Sequence, residues 1–279
     1  MKNILFLALV CTALSCNLTQ DVEIDLPEYT PQPVVECYLE PGKPFRLLLT
    51  RSYSFFDPFG LDSTFIEKTV IQGATVTITY DGKTINLPNI PSIETNPIKL
   101  FNYTASEIVP ATVGTNYVLN INLPDGGGNI TAQASMLSFV PIDSIVIQWL
   151  PERDTLARAL MYLTDDLNTS DYYRRLLNYS SLDSVPEQDI VTPDRFSTTS
   201  QIAFGTAYEL KEGDTIFNTI YHIEKPYYDY LESVQLAILA NFNPFAQPAA
   251  IKSNVTGSAN PLGIFTTLVY DRDTTILKK

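Results

Sequence analysis

From Pro33 onward, short runs of β-branched and aromatic residues alternate with turn signals, and this punctuation leaves stacked β-sheets as the main way to bury the apolar side chains. In the first half the runs fall at 34–39, 45–50, 74–80, 84–87, 116–123 and 129–136. Thr75, Thr77 and Thr79 alternate with Val76, Ile78 and Tyr80, a period of two that buries one face and wets the other. Asp81-Gly82 then separates two runs by two residues, a hairpin signal because both positions tolerate positive φ. Asp125 and Gly126 to Gly128 mark a second turn. The spacing predicts an immunoglobulin-like β-sandwich over 33–139.

A linker-like stretch leads into a new strand at 139–149, which places a boundary near 140 and a second β-rich domain over 140–279. Its strand-like runs are 160–163, 172–179, 201–210, 215–223, 251–255 and 263–270. One amphipathic helix is predicted near 226–241. Pro226 suits a first helical turn, and Tyr227, Tyr230, Leu231, Val234 and Ile238 recur at spacings of three and four. The whole reads as a mostly β chain with that single helix laid over a sheet.

The first residues carry an address. Met1-Lys2-Asn3 is a short positive start, and 4–14 is an apolar run too short to span a bilayer. Ala13-Leu14-Ser15-Cys16 resembles the lipobox of bacterial lipoproteins, so 1–15 is expected to be a signal peptide and Cys16 the lipidated residue. Each buried methylene of a fatty-acyl chain such as palmitate contributes about 0.8 kcal/mol, so several chains on one residue anchor stably. An ordinary secretory signal, with Cys16 unmodified, is the alternative. Residues 16–32 are acidic and proline-bearing and read as an extended tether. Acidic residues shortly after the lipidated Cys resemble a surface-export signal, so the outer membrane is expected, with the cell-surface face favoured over the periplasmic one.

Charge and residue counts exclude several chemistries. With 18 Lys+Arg against 31 Asp+Glu, the formal charge is −13, which repels nucleic-acid phosphates. His222 is the sole imidazole, and Cys37 the only thiol outside 1–16, so zinc is not expected and no cofactor is called for. His222 sits in an alternating strand and is expected half-exposed on a polar face beside Thr219 or Tyr221; Cys37 is expected in the core. No nucleophile elbow, G-x-G-x-x-G or Walker pattern occurs. Asp165, Asp166, Asn168 and Asp171 place hard oxygen donors close together, but the loop lacks the Gly and closing Glu of an EF-hand, so a solvated loop is the default over calcium.

Two further patterns single out residues. Asp followed by Ser or Thr and then an aliphatic residue or Thr resembles a Bacteroidota O-glycosylation acceptor. It marks Ser63, Ser144, Thr155, Ser184, Thr215 and Thr274, of which Ser144 and Thr215 also read as ordinary strand ends. The aromatics Phe55, Phe56 and Phe59, and Phe242 and Phe245, lie between turn residues, where they either pack internally or form a contact surface.

The ordered words Asp25-Leu26-Pro27, Val34-Val35-Glu36, Pro41-Gly42, Gly73-Ala74-Thr75-Val76, Gly114-Thr115-Asn116-Tyr117, Pro141-Ile142-Asp143-Ser144, Asp171-Tyr172-Tyr173-Arg174, Tyr227-Tyr228-Asp229-Tyr230-Leu231 and Asn243-Pro244-Phe245 resemble the Bacteroidota lipoproteins grouped as domain of unknown function 4249. The likeness extends through Gly257 to Phe265, with Ala259 and Asn260 where the family more often has Gly. It implies an envelope lipoprotein, often encoded beside TonB-dependent outer-membrane receptors, with no established activity and no catalytic residues to carry over. The expected function is therefore a non-enzymatic accessory binding or assembly subunit of a β-barrel receptor, with an unknown ligand. The alternatives are a surface glycan hydrolase using paired carboxylates and a structural or adhesive lipoprotein.

Overall fold

In the computed structural model of the chain, residues 29–53, 67–95, 98–151, 153–241 and 250–279 are described. The chain divides into a short unit, 1–30, and a compact unit, 31–279. The second unit is mostly β.

Its first half is a two-layer sandwich. One layer uses β1 (Pro33–Leu39), β2 (Pro44–Arg51) and β7 (Tyr103–Ile108). The other uses β3 (Thr75–Tyr80), β4 (Lys83–Leu87), β8 (Asn116–Asn122) and β9 (Asn129–Ser135), in the order β4-β3-β8-β9. Asp81 and Gly82 both take positive φ in the β3–β4 hairpin, as the turn requires. Alternation along each strand sends Val35, Cys37, Leu47, Leu49 and Tyr103 from one layer against Ile78, Tyr117, Leu119 and Ile130 from the other, in one continuous core. A small ribbon of β5 (Ser92–Thr95) and β6 (Ile98–Phe101) projects from this sandwich. Its outward face shows Ile93, Ile98 and Leu100 to solvent.

The second half is another sandwich. Its layers are β10 (Ser144–Leu150), β11 (Arg153–Thr164) and β14 (Gln201–Gly205), facing β12 (Tyr172–Tyr179), β13 (Gln188–Pro193), β15 (Thr215–Ile223) and β17 (Val269–Ile276). The orders are β10-β11-β14 and β13-β12-β15-β17. Two separate apolar clusters lie between these layers, one around Ala157, Leu177 and Ile216 and the other around Met161, Tyr173, Phe204 and Ile220.

The run 263–270 does not form one strand. It divides into β16 (Leu262–Thr267), which pairs parallel to β1, and β17, which completes the second sandwich. Leu268 is the crossing residue, and its N–H donates to the Leu39 carbonyl at 2.9 Å. A division at 140 thus assigns 262–267 to a different segment from the sheet that they complete. Close approach of β16 requires glycine: a Cβ on Gly263, whose φ is +120°, would stand 1.9 Å from the Val35 carbonyl oxygen. Residues 251–255 form no strand either, and Thr256 makes only an isolated antiparallel bridge to Thr131.

Helix α1 (Lys225–Asn241) covers the seam between β16 and the outer face of the second sandwich. Tyr227 and Tyr228 are buried there with Ile264 and Leu268, with Tyr230 and Leu231 packed alongside. The predicted apolar stripe holds for the first turns only, because Ile238 is 51% exposed. No helix among the described residues is long and apolar enough to cross a membrane.

Candidate functional site

The outer face of β12, β15 and β17 and the outward face of β1 border a cleft of about 690 Å³, with the β5–β6 ribbon on one rim and the loop at 182–186 on the other. Strand alternation supplies its walls. Glu36, Tyr38 and Glu40 come from successive outward positions at β1 and just beyond it, Arg174 and Leu176 from β12, Thr219 and Tyr221 from β15, and Tyr270 and Arg272 from β17.

Most polar groups of the cleft are held by partners. Arg174 grips Asp189 with both sides of its fork, Nε to Oδ1 at 2.8 Å and Nη2 to Oδ2 at 2.6 Å, while its Nη1 donates to the Tyr227 hydroxyl at 2.8 Å. Burial acts to lower the Arg174 pKa, but Asp189 and the neighbouring tyrosines outweigh it, and the net displacement is upward. Arg272 Nε donates to Thr219 Oγ1 at 2.8 Å, and the guanidinium lies 5.1 Å from the Tyr270 ring centre. The Tyr270 hydroxyl donates to Glu40 at 3.2 Å. Lys43 and Arg46 both bond Glu94, at 3.2 and 3.1 Å, and hold that ribbon carboxylate below the usual range although burial opposes them. Rings complete the wall: Tyr221 and Tyr270 lie 5.2 Å apart, and Tyr38 meets Tyr227 edge-on at 5.8 Å. Glu36, half-buried, differs in that burial pushes its carboxyl upward and no hydrogen bond or ion pair to it occurs among the described residues.

The expected carboxylate loop is rearranged. Asp166 caps its own exposed turn through Asn168, at 2.8 and 3.0 Å. Asp165 turns inward instead and joins Asp171 and Asp194, their oxygens lying within 4.8 Å of one another. Among the described residues, those three carboxylates form a group that could hold a hard cation. Each also has a donor from the protein. The Tyr173 hydroxyl bonds Asp165, His222 Nε2 lies 3.0 Å from Asp171, and the Asp171 backbone N–H donates to Asp194 at 2.7 Å. Burial first, and then Asp171 and Asp194, raise the Asp165 carboxyl.

His222 is not half-exposed. It is only 7% exposed, stacks on Tyr173 at 5.5 Å, and has its Nδ1 2.9 Å from the Ser138 carbonyl. The strand turns Thr219 and Tyr221 to the opposite face, toward the cleft. Cys37 is fully buried, and burial drives its thiol far up. Among the glycosylation candidates, Ser144, Thr155, Ser184 and Thr274 are exposed and Thr215 is half-buried. Cys16, Ser63, Phe55, Phe56, Phe59, Phe242 and Phe245 lie outside the described residues, as do the signal and most of the tether. The cleft residues were not singled out from sequence. The one available hint was the alternation of Glu36, Tyr38 and Glu40, polar or amphipathic side chains opposite the core face of an otherwise apolar strand.

The family described as Domain of unknown function (DUF4249) matches this sequence over residues 19–274. The chain belongs to that family. The DUF4249 match takes in both sandwiches, the helix and the crossing at Leu268. No curated protein matches the sequence. Among solved structures, a chain of a cytokine receptor complex (crystal form 1A) aligns at 12% identity over 81% of this chain and 96% of that one, with a TM-score of 0.25, too low to bear on the DUF4249 fold.

Proposed function

We propose that the protein is a non-enzymatic lipoprotein of the outer membrane, anchored through Cys16, that serves a TonB-dependent β-barrel receptor as an accessory binding or assembly subunit. The observation that carries the binding part is the cleft, whose aromatic wall is pre-organised by the Arg174–Asp189–Tyr227, Arg272–Thr219 and Glu40–Tyr270 contacts. Its volume of about 690 Å³ lies within the range of small-ligand sites, and fixed side chains lower the ordering cost of binding. The anchor and the receptor rest on the lipobox-like sequence and the family resemblance. The first sandwich is immunoglobulin-like on this reading, supported by the β1-β2-β7 and β4-β3-β8-β9 strand orders. The exposed Ser144, Thr155, Ser184 and Thr274 are offered as O-glycosylation acceptors of the same surface.

The test is recovery of the full-length lipoprotein from solubilised outer membranes of its native host. Reproducible co-purification of a β-barrel receptor, weakened by Arg272→Ala at the cleft, is the expected result. Recovery of the lipoprotein alone overturns the partnership, and a product without fatty acid at Cys16 overturns the anchor. A surface glycan hydrolase is the second reading, favoured by one observation: Glu36, raised by burial as a general acid must be, shares the cleft with Glu40. Release of reducing sugar from envelope glycans, abolished by Glu36→Gln, would replace the first reading with this one.

A further inference from the structure

Arg174 and Arg175 are neighbours on β12, and strand alternation sends Arg174 to the cleft and Arg175 into the second sandwich. Arg175 is fully buried and is the largest such side chain among the described residues. It stands between Tyr173 and Leu177 on β12, as Asn218 stands between Ile216 and Ile220 on β15, so this polar row separates the two apolar clusters of that core. The cluster on one side of the row takes only Ala157 and Ala159 from the facing β11, so bulk is least there.

The row has donors to spare and its acceptors are spent. A guanidinium carries five N–H bonds and a primary amide two. Arg175 places Nε and Nη2 on the single Asn218 Oδ1, at 3.2 and 2.6 Å, and Nη1 on Gln188 Oε1. Both acceptors are neutral amides. Guanidinium N–H bonds are left over, and the buried Asn218 Nδ2, on the same carbon as that Oδ1, has no hydrogen-bond partner among the described residues. The acids around the row are engaged elsewhere. Asp273 stands opposite Asn218 on β17, but its Oδ1 accepts from the Thr275 hydroxyl. Asp189, next to Gln188, is gripped by Arg174, and Glu209 takes the Tyr179 hydroxyl. A buried cation without a counter-charge is costly, and so is a buried N–H without an acceptor; one anion at this point removes both costs.

We infer that Arg175 and Asn218 hold a small monovalent inorganic anion such as chloride between the layers of the second sandwich, Arg175 supplying the charge and Asn218 Nδ2 a further donor. The ligand has to accept on every polar side, because the unspent groups around it are all donors, and it has to be small, because Leu177, Ile216 and Ile220 wall the row. Gln188, half-buried on the edge strand β13, gives the guanidinium end its path to solvent, by which the ion exchanges. The site lies on the opposite face of β12 from the cleft and is independent of the contact reading above.

The full-length protein is unfolded in urea at fixed ionic strength while chloride replaces gluconate, an anion too bulky for the site. Once chloride exceeds its dissociation constant, each tenfold rise should raise the ratio of folded to unfolded protein by about tenfold. The double variant Arg175→Met with Asn218→Leu, which has neither the charge nor the unpaired amide, reads the general salt effect alone and should lack this rise. Crystals of the wild-type protein soaked in bromide should carry an anomalous peak within hydrogen-bonding reach of Arg175 and Asn218 Nδ2, a reading that does not depend on the variant folding. A chloride response no larger than that of the double variant overturns the inference, and so do bromide-soaked crystals with no peak at that place.

Discussion

The two sandwiches are built to different specifications. The first has one uninterrupted apolar core, in which the largest polar groups are tyrosines such as Tyr103, whose hydroxyl donates to the Ile71 carbonyl at 3.1 Å. The second divides its core into two smaller clusters, and polar residues occupy the space between its layers. Arg175 and Asn218 are both 0% exposed there. Arg175 Nη2 donates to Asn218 Oδ1 at 2.6 Å, its Nη1 bonds Gln188, no carboxylate among the described residues pairs with it, and burial brings its pKa down to about 10. Among the described residues, Asn218 Nδ2 has no hydrogen-bond partner. The first half is held chiefly by non-directional burial, with the buried Asn102 amide bonded to the backbone of Leu49 and Ile71. The second depends on particular hydrogen bonds, which confer geometry at a cost in stability.

The sharpest way to break the contrast is at β16, which completes the first sheet just before the chain crosses into the second sandwich. Gly263→Ala places a methyl carbon against the Val35 carbonyl and should lower the unfolding free energy by about 4 kcal/mol, read from urea denaturation. Gly82→Ala, where φ is +74° and nothing lies within 4 Å, should cost only about 1 kcal/mol. Next comes the polar core. Asn218→Leu strands a buried guanidinium and should cost about 3 kcal/mol, whereas Arg175→Met combined with Asn218→Leu should recover most of that loss. Full additivity of the two single changes would show that they do not act as a unit.

Smaller effects sharpen the comparison at the cleft and in the first core. Glu36 and Glu224 both have carboxyls raised by burial, so the folded state binds more protons than the unfolded one. Their contribution is complete below the usual glutamate value of 4.5 and is lost as pH rises through the raised pKa. Glu36→Gln should therefore gain stability over wild type above that window and match it below, in denaturation curves recorded across pH. In the first core, Cys37 should resist thiol reagents until the protein unfolds, since burial keeps it protonated.

Much of the framework was legible because β-sheet alternation is local. The runs at 34–39, 45–50, 172–179 and 215–223 coincide with β1, β2, β12 and β15 to within a residue or two. Strands β5, β6, β7 and β13 escaped because Ser92, Glu94, Ser106, Glu107, Gln188 and Asp189 blur the apolar period in short segments. The face of His222 was misjudged for a different reason. Both faces of β15 are covered, one by the opposing layer and one by the cleft, so polarity does not reveal which side is wet. The run at 263–270 looked like one strand because nothing local records the change of sheet at Leu268. No local pattern marks Glu36, whose setting depends on Leu48 and on Ile264, far away in sequence.

The parallel pairing of β1 with β16 also governs the order in which the molecule can be completed. A chain emerging from its amino end has β1 and β2 long before residue 262 exists, and until then one margin of the first sheet offers unpaired N–H and C=O groups to any passing strand. Closure waits for a segment far later in the chain, which marks the interval before it as the period when helper proteins have most to protect.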